Sequence, residues 1–480
     1  MARFALLAAL MGVVFASPAY AGGPELRIGA AEDAVKEPTL PAARAQIELL
    51  KLAGLDTVRM TAVWQPDLTE PAPTEALELA NAIDAADMLG IDVVVEVYNV
   101  NSASTPLTDE SRDQFAAFAA GLAREHPSVR DVIVGNEPNL NRFWMPQYDD
   151  AGASASPAGY LALLASTYDA LKEVSPEITV WGGSVSPRGT DNAFGIRPSH
   201  SPTTFIQGLG EAYRASGRTL PVMDGLAIHP YGDNSSQAPS ASAHPRNTSV
   251  GLADYTKLVG MLSEAFTGTA QLGSTLPILY DEYGVESTLT ADKASLYSGT
   301  EPVGTKPVDP LTQAIYYREA IQLAFCQPNV RGLMLFHTID EPDLNRWQSG
   351  LWYADSTPKS SLPFVRKAVG EARRGVVATC PGLALTPKLV SAVWPKAGSQ
   401  RRPVEVALKC SLDCAGTIAA VDVVTRRRVA LVAVRQVGGA VRRTRLGPLP
   451  PGSYRLRVTL RAPVNPGGTL TRSSPVFKVR

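Results

Sequence analysis

The chain has 480 residues, 45% of them hydrophobic and 19% charged, which is too apolar for a disordered chain and long enough for a barrel of about 250 residues or more with a smaller module behind it. Its formal net charge of −1 hides two parts of opposite sign. Leu385–Arg480 holds 18 Lys and Arg against 3 Asp and Glu, a charge of +15, and Gly22–Ala384 holds 26 against 43, a charge of −17, which points to two domains with different tasks and argues against nucleic acid as a partner.

Residues 1–21 read as a signal peptide. Arg3 gives a positive start, Phe4–Ala16 is an apolar run, and Ala19-Tyr20-Ala21 fits a small-x-small cleavage pattern. The run is too short to stay as a membrane anchor, and no later stretch reads as a transmembrane helix. The mature protein is expected to begin near Gly22 and to be secreted, either extracellular or associated with a cell wall. Four cysteines suit an oxidising compartment and allow three pairings. A C-x3-C spacing far from any His does not make a metal site.

From residue 22 to 384, short apolar runs alternate with helical patterns. The strand candidates are Leu26–Ala31, Thr57–Trp64, Val93–Asn99, Val129–Glu137, Thr179–Val185, Gly225–Tyr231, Ile278–Gly284 and Gly332–Ile339. They are nearly continuously apolar, as parallel strands buried on both faces are. A helix candidate follows each, and Ser156-Pro157, Ser201-Pro202 and Asp309-Pro310 place an N-cap residue before Pro. Eight repeats of strand and helix predict a (β/α)8 TIM barrel. The doubly wound alternative lacks its G-x-G-x-x-G fingerprint after strand one. Helices of a barrel end at its bottom face, so Cys326 after the seventh helix and Cys380 after the eighth are expected to pair, leaving Cys410 for Cys414.

Leu383–Lys396 reads as a linker. Residues 385–480 then give short β-rich runs separated by turns such as Pro450-Pro451-Gly452 and Asn465-Pro466-Gly467-Gly468. This predicts a small antiparallel, immunoglobulin-like β-sandwich. Its basic surface suits an anionic cell-wall polymer.

The chemistry is sought where barrel strands end, at the top face. Strand four ends Gly135-Asn136-Glu137-Pro138, and strand seven ends Tyr280-Asp281-Glu282-Tyr283-Gly284. Two glutamates therefore face each other across the mouth. Cleaving a glycosidic bond needs such a pair, one to protonate the leaving oxygen and one to attack the anomeric carbon or activate water. Arg59 lies in an apolar strand, and a charge buried there needs a partner, which the glutamates can supply. Asp281 is expected to point away from the side that Glu282 takes, because side chains alternate along a strand.

In these strand ends the chain resembles clan A of the glycoside hydrolases, families 5 and 39 most of all, over residues 26–370. The resemblance implies a retaining enzyme acting on O-linked, β-linked sugars of a polysaccharide or oligosaccharide, with Glu137 as acid/base and Glu282 as nucleophile. It puts Asn136 on the sugar 2-hydroxyl, Arg59 beside the nucleophile, and His229 and Tyr231 at the end of strand six. It needs no cofactor and no metal. The chain departs from the clan at strand eight, where a Trp platform is replaced by Phe336-His337-Thr338. His337 or Phe336 takes that place, or Trp347 or Trp352 enters from the loop. Aromatic faces for sugar stacking are also offered by Trp64, Tyr98, Phe143, Trp144 and Tyr283, and Asp340 and Glu341 stand within reach. The chain is expected to act as a monomer. Two other readings stay open: a non-catalytic carbohydrate- or wall-binding protein on the same barrel, and a wall-remodelling transglycosylase.

Overall fold

The computed structural model describes residues 22–480; the segment read as a signal peptide lies outside them. Eight strands, β1 Arg27–Ala31, β2 Thr57–Trp64, β3 Asp92–Asn99, β4 Asp131–Val134, β5 Thr179–Val185, β6 Gly225–Ile228, β7 Ile278–Tyr283 and β8 Val330–Phe336, close into a barrel in chain order. All neighbouring pairs are parallel, including β8 on β1. Helices α1 Leu40–Ala53, α2 Pro73–Leu89, α3 Asp109–Glu125, α4 Ser156–Val174, α5 Pro202–Ser216, α6 Tyr255–Phe266, α7 Pro310–Phe325 and α8 Leu362–Arg373 alternate with them. Residues such as Val94, Ile133, Trp181, Leu279 and Met334 fill the barrel interior, so it is a packed core rather than a pore. The larger core lies between strands and helices.

Ser201 and Asp309 cap α5 and α7 as expected, Ser201 accepting from the Thr204 N–H and Asp309 from the Leu311 and Thr312 N–H groups. Ser156 does not cap α4. Ala155 takes the cap position, and the Ser156 hydroxyl, already inside the helix, donates to Gln147 Oε1 at 3.1 Å. Cys326 closes α7 and is bonded to Cys380 beyond α8, with Cα atoms 5.2 Å apart; Cys410 is bonded to Cys414.

Nine further strands follow the barrel among the described residues. They are β9 Leu389–Val393, β10 Ala397–Gly398, β11 Val404–Cys410, β12 Cys414–Asp422, β13 Arg428–Gln436, β14 Val441–Leu446, β15 Gly452–Arg461, β16 Leu470–Ser473 and β17 Phe477–Val479. One sheet runs β10-β17-β15-β12-β13 with β16 beside β15, and the other β14-β11-β9. Val406 and Leu408 of one meet Ile418, Leu456 and Val458 of the other in a single core, which makes a sandwich. The expected linker is therefore partly strand: β9 pairs antiparallel with β11. Its exposed Val390 and Val393 hide the alternation that marks a half-buried strand.

Candidate active site

The chain bends sharply at the tops of β4 and β5. The strand expected to reach Glu137 stops at Val134, because Gly135 (φ 78°) and Glu137 (φ 41°) adopt left-handed backbone. A Cβ on Gly135 would stand 3.1 Å from the Tyr160 ring. Ser184 on β5 is also left-handed (φ 43°), and its carbonyl accepts from the Glu137 N–H at 2.9 Å. Such conformations are strained in residues with a side chain and persist where the surroundings enforce them. Here Tyr160 does so: its hydroxyl donates to Val134 O and accepts from Gly183 N, both at 2.6 Å.

These bends aim Glu137 into a cavity of about 360 Å³ at the barrel mouth, where it meets Glu282. His229 Nδ1 lies 3.0 Å from Glu137 Oε1 and 3.4 Å from Glu282 Oε2. Tyr231 donates to Glu282 Oε2 at 2.9 Å, and Arg59 Nη2 stands 3.1 Å from Glu282 Oε1. Beneath them, Arg59 also pairs with Glu96. The Ser184 hydroxyl lies 2.9 Å from Glu96, 2.7 Å from Asp281 and 2.9 Å from His229 Nε2.

Asp281 does not point away. Its carboxylate is buried 3.3 Å from His229 Nε2. The β7–β8 register shifts between Tyr280 and Tyr283, and such an irregularity breaks the alternation of faces, so consecutive residues reach the same imidazole.

Burial alone would lower the His229 pKa, but the charges of Glu282 and Asp281 and its hydrogen bonds carry it well above its usual value. It therefore holds the two glutamates as an imidazolium. Burial raises Glu96 to about 7 against the pull of Arg59. Burial would also raise Asp281, yet His229 and Arg59 hold it below the usual carboxylate range. Burial and the Glu282 charge push Tyr231 far up, so it remains a hydroxyl donor. Glu96, His229 and Asp281 offer ligand-type atoms within 4.8 Å of one another. The positive charge among them is already supplied by Arg59 and protonated His229, so the cluster reads as an ion-pair network rather than a metal seat.

Of the residues singled out by sequence, Glu137, Glu282, Arg59, Asn136, His229, Tyr231 and His337 line this one cavity. The Asn136 Oδ1 is buried and accepts no hydrogen bond. Three others lie elsewhere. Trp64 is fully buried, donating to Leu68 O and packing on Phe115. Tyr283 is buried against Tyr317. Trp352 is buried in the segment after β8, bridging Ile339 and Pro358. The aromatic wall comes from Trp347, stacked on Tyr231 at 5.0 Å and edge-on to Phe336 at 5.2 Å. Tyr98, Phe143 and Glu341 also line the cavity, whereas Trp144 is buried against Tyr160 and Asp340 is paired with buried Lys359. Glu32 and Asp33, just beyond β1, line it too; they carry no motif, but the same strand-end rule applied to β1 leads to them.

No family model matches the chain, and no curated protein matches it. Among solved structures it is similar to a family 39 glycoside hydrolase from the gut symbiont Bacteroides cellulosilyticus, at 16% identity and a TM-score of 0.52, over 89% of this chain and 80% of that one. A monomeric β-xylosidase from Caulobacter crescentus superposes at 16% identity and a TM-score of 0.46, over 90% of this chain and 98% of the other. An exo-β-1,4-mannosidase from an Opitutaceae bacterium does so at 17% and 0.47, over 76% and 63%. The first likeness establishes the fold, a (β/α)8 barrel followed by β-sheets; the chemistry rests on the site itself.

Proposed function

We propose that this protein is a retaining glycoside hydrolase acting on a carbohydrate with β-linked sugars. The observation that carries the reading is the shared His229 nitrogen. It lies 3.0 Å from Glu137 and 3.4 Å from Glu282, so the proton donor and the nucleophile that cleavage of a glycosidic bond requires stand together in one cavity. Glu282 attacks the anomeric carbon while Glu137 protonates the leaving oxygen. Glu137 then takes a proton from water, which displaces the sugar from Glu282. Arg59 and Tyr231 hold the Glu282 carboxylate in place, one on each oxygen. Asn136 lines the cavity beside Glu137, where it can meet a sugar hydroxyl, and Trp347 supplies the stacking face.

The protein acts outside the cell in this reading, which its signal-like first 21 residues and two disulfides support. The basic C-terminal sheets hold it to an anionic wall polymer. The test is sugar release from polysaccharides and aryl β-glycosides by the protein from Gly22 onward, beside Glu282→Gln and Glu137→Gln. Only the wild type is expected to release sugar from polysaccharide, and Glu137→Gln to retain more activity on aryl glycosides whose leaving group needs no proton. Binding of glycan without release by the wild type would favour the non-catalytic reading. Release by Glu282→Gln would remove Glu282 as the nucleophile.

A further inference from the structure

The outer face of the sheet around β15 is built differently from its core face. Along β15, Tyr454, Leu456, Val458 and Leu460 point inward, and Arg455, Arg457 and Arg461 are exposed on the other side. Residues two apart on one face are ~6.7 Å apart, so the arginines form a rail. Beside it β12 contributes small side chains: Ala419 lies opposite Arg457, and Ala415 opposite Arg461. On the far side Ser473 of β16 is also opposite Arg457. Where β12 turns towards β13, Arg426 closes one end of the rail. The result is a groove of about 260 Å³ lined by Arg426, Arg455, Arg457, Ser473 and the Val421–Val423 stretch.

The groove's one carboxylate, Asp422, accepts from the Val424 and Thr425 N–H groups and from the Thr425 hydroxyl, which fixes the turn that presents Arg426. Among the described residues, no acidic group stands within ion-pair distance of Arg426, Arg455 or Arg457, whereas Arg443 and Arg445 in the other sheet share Glu405. Three guanidiniums converging on one depression without a carboxylate partner form a fork for an oxyanion. The aromatic residues of this sheet, Tyr454 and Phe477, face the core. The groove therefore lacks the platforms on which nucleic-acid bases and neutral sugars stack.

We propose that this groove binds an anionic polysaccharide, with its regularly spaced charges on the arginine rail. This rests on reading the C-terminal sheets as the anchoring part and is independent of the roles of Glu137 and Glu282. The sheets join the barrel just beyond the end of α8, where Asn465 accepts from the Cys380 N–H.

The test is affinity electrophoresis of the whole chain through gels containing polygalacturonate, with dextran as the neutral counterpart. The wild type is compared with Arg426→Gln/Arg455→Gln/Arg457→Gln and with Arg442→Gln/Arg443→Gln/Arg445→Gln, which removes the same charge from the other sheet. Polygalacturonate is expected to retard the wild type and dextran not to. The groove variant should bind about tenfold more weakly, and the charge-matched variant should lose less than about threefold. Equal losses would reduce the binding to diffuse charge and overturn the groove. No retardation of the wild type would overturn the anchoring reading as well. Tighter binding to single-stranded DNA or to phosphatidylglycerol vesicles than to polygalacturonate would overturn the polysaccharide as the partner.

Discussion

Glu96 holds its proton to about 7, against an ordinary value of 4.5, because burial outweighs the attraction of Arg59. The folded chain thus keeps a proton that the unfolded chain releases, and this contribution to stability falls as the pH rises from about 4.5 to 7. His229 is raised too, so its contribution is complete below 6.5 and is lost as the pH climbs through its higher folded value. Asp281 is lowered, and its contribution is lost only on acidification below its usual 3.8. Between pH 4.5 and 6.5 Glu96 alone of the three changes the stability, and above 6.5 His229 acts in the same direction while Asp281 stays silent. Replacing Glu96 by Gln removes its part. The melting temperature of Glu96→Gln is therefore expected to gain on the wild type steadily from pH 4.5 to about 7, and a constant difference would show that Glu96 does not titrate there. At this scale the cavity lining was legible wherever a side chain stands at or just beyond a strand end, as Asn136, Glu137, Glu282 and His229 do. It was not legible where pleat or loop geometry decides. Asp281 faces inward through a register shift, and the choice of Trp347 over Trp352 for the aromatic wall depends on how the loop after β8 folds back.

The tops of β4 and β5 are held by one tyrosine from α4, and this tie places both Glu137 and Ser184. Tyr160→Phe leaves a buried carbonyl and a buried N–H without partners at the point where the backbone is left-handed. Each such loss costs about 1–3 kcal/mol. The expected outcome is a melting temperature lowered by several degrees together with a kcat that falls more than KM rises, since Glu137 is displaced while the cavity walls remain. Kinetics unchanged at full folding would show that the bend is set by Gly135 alone. Strand bounds follow the same logic. Thr57–Trp64 and Thr179–Val185 are read correctly because their apolar runs are the strands. The run from Val129 overshoots because nothing in Gly135-Asn136-Glu137 announces that two of its residues take positive φ. β10 and β16, with two and four residues, are too short to show a period.

The acidic barrel and the basic sheets were separable by charge alone, but their junction was not, because it depends on a few polar side chains at the end of the chain. Asn465 is buried there. Its Oδ1 accepts from the Cys380 N–H at 2.7 Å, its Nδ2 donates to Ala378 O at 2.9 Å, and its carbonyl accepts from Leu385 N. Arg374 and Asp413 add an ion pair at 3.3 Å, and Leu385 and Ala462 pack into the barrel's own core. A junction with its polar groups satisfied and apolar residues shared makes the two parts unfold together, whereas a mobile tether leaves each its own transition. Asn465→Gly tests which holds. The position has φ 49°, which glycine adopts without strain, so the substitution removes the side-chain bonds and little else. It is expected to destabilise the protein by about 1–3 kcal/mol, read in a urea titration by tryptophan fluorescence. Trp394 is the one tryptophan of the chain's six beyond the barrel, so the signal reports the barrel, although the altered residue is in the sheets. A barrel transition that does not move would mean that the two parts stand independently.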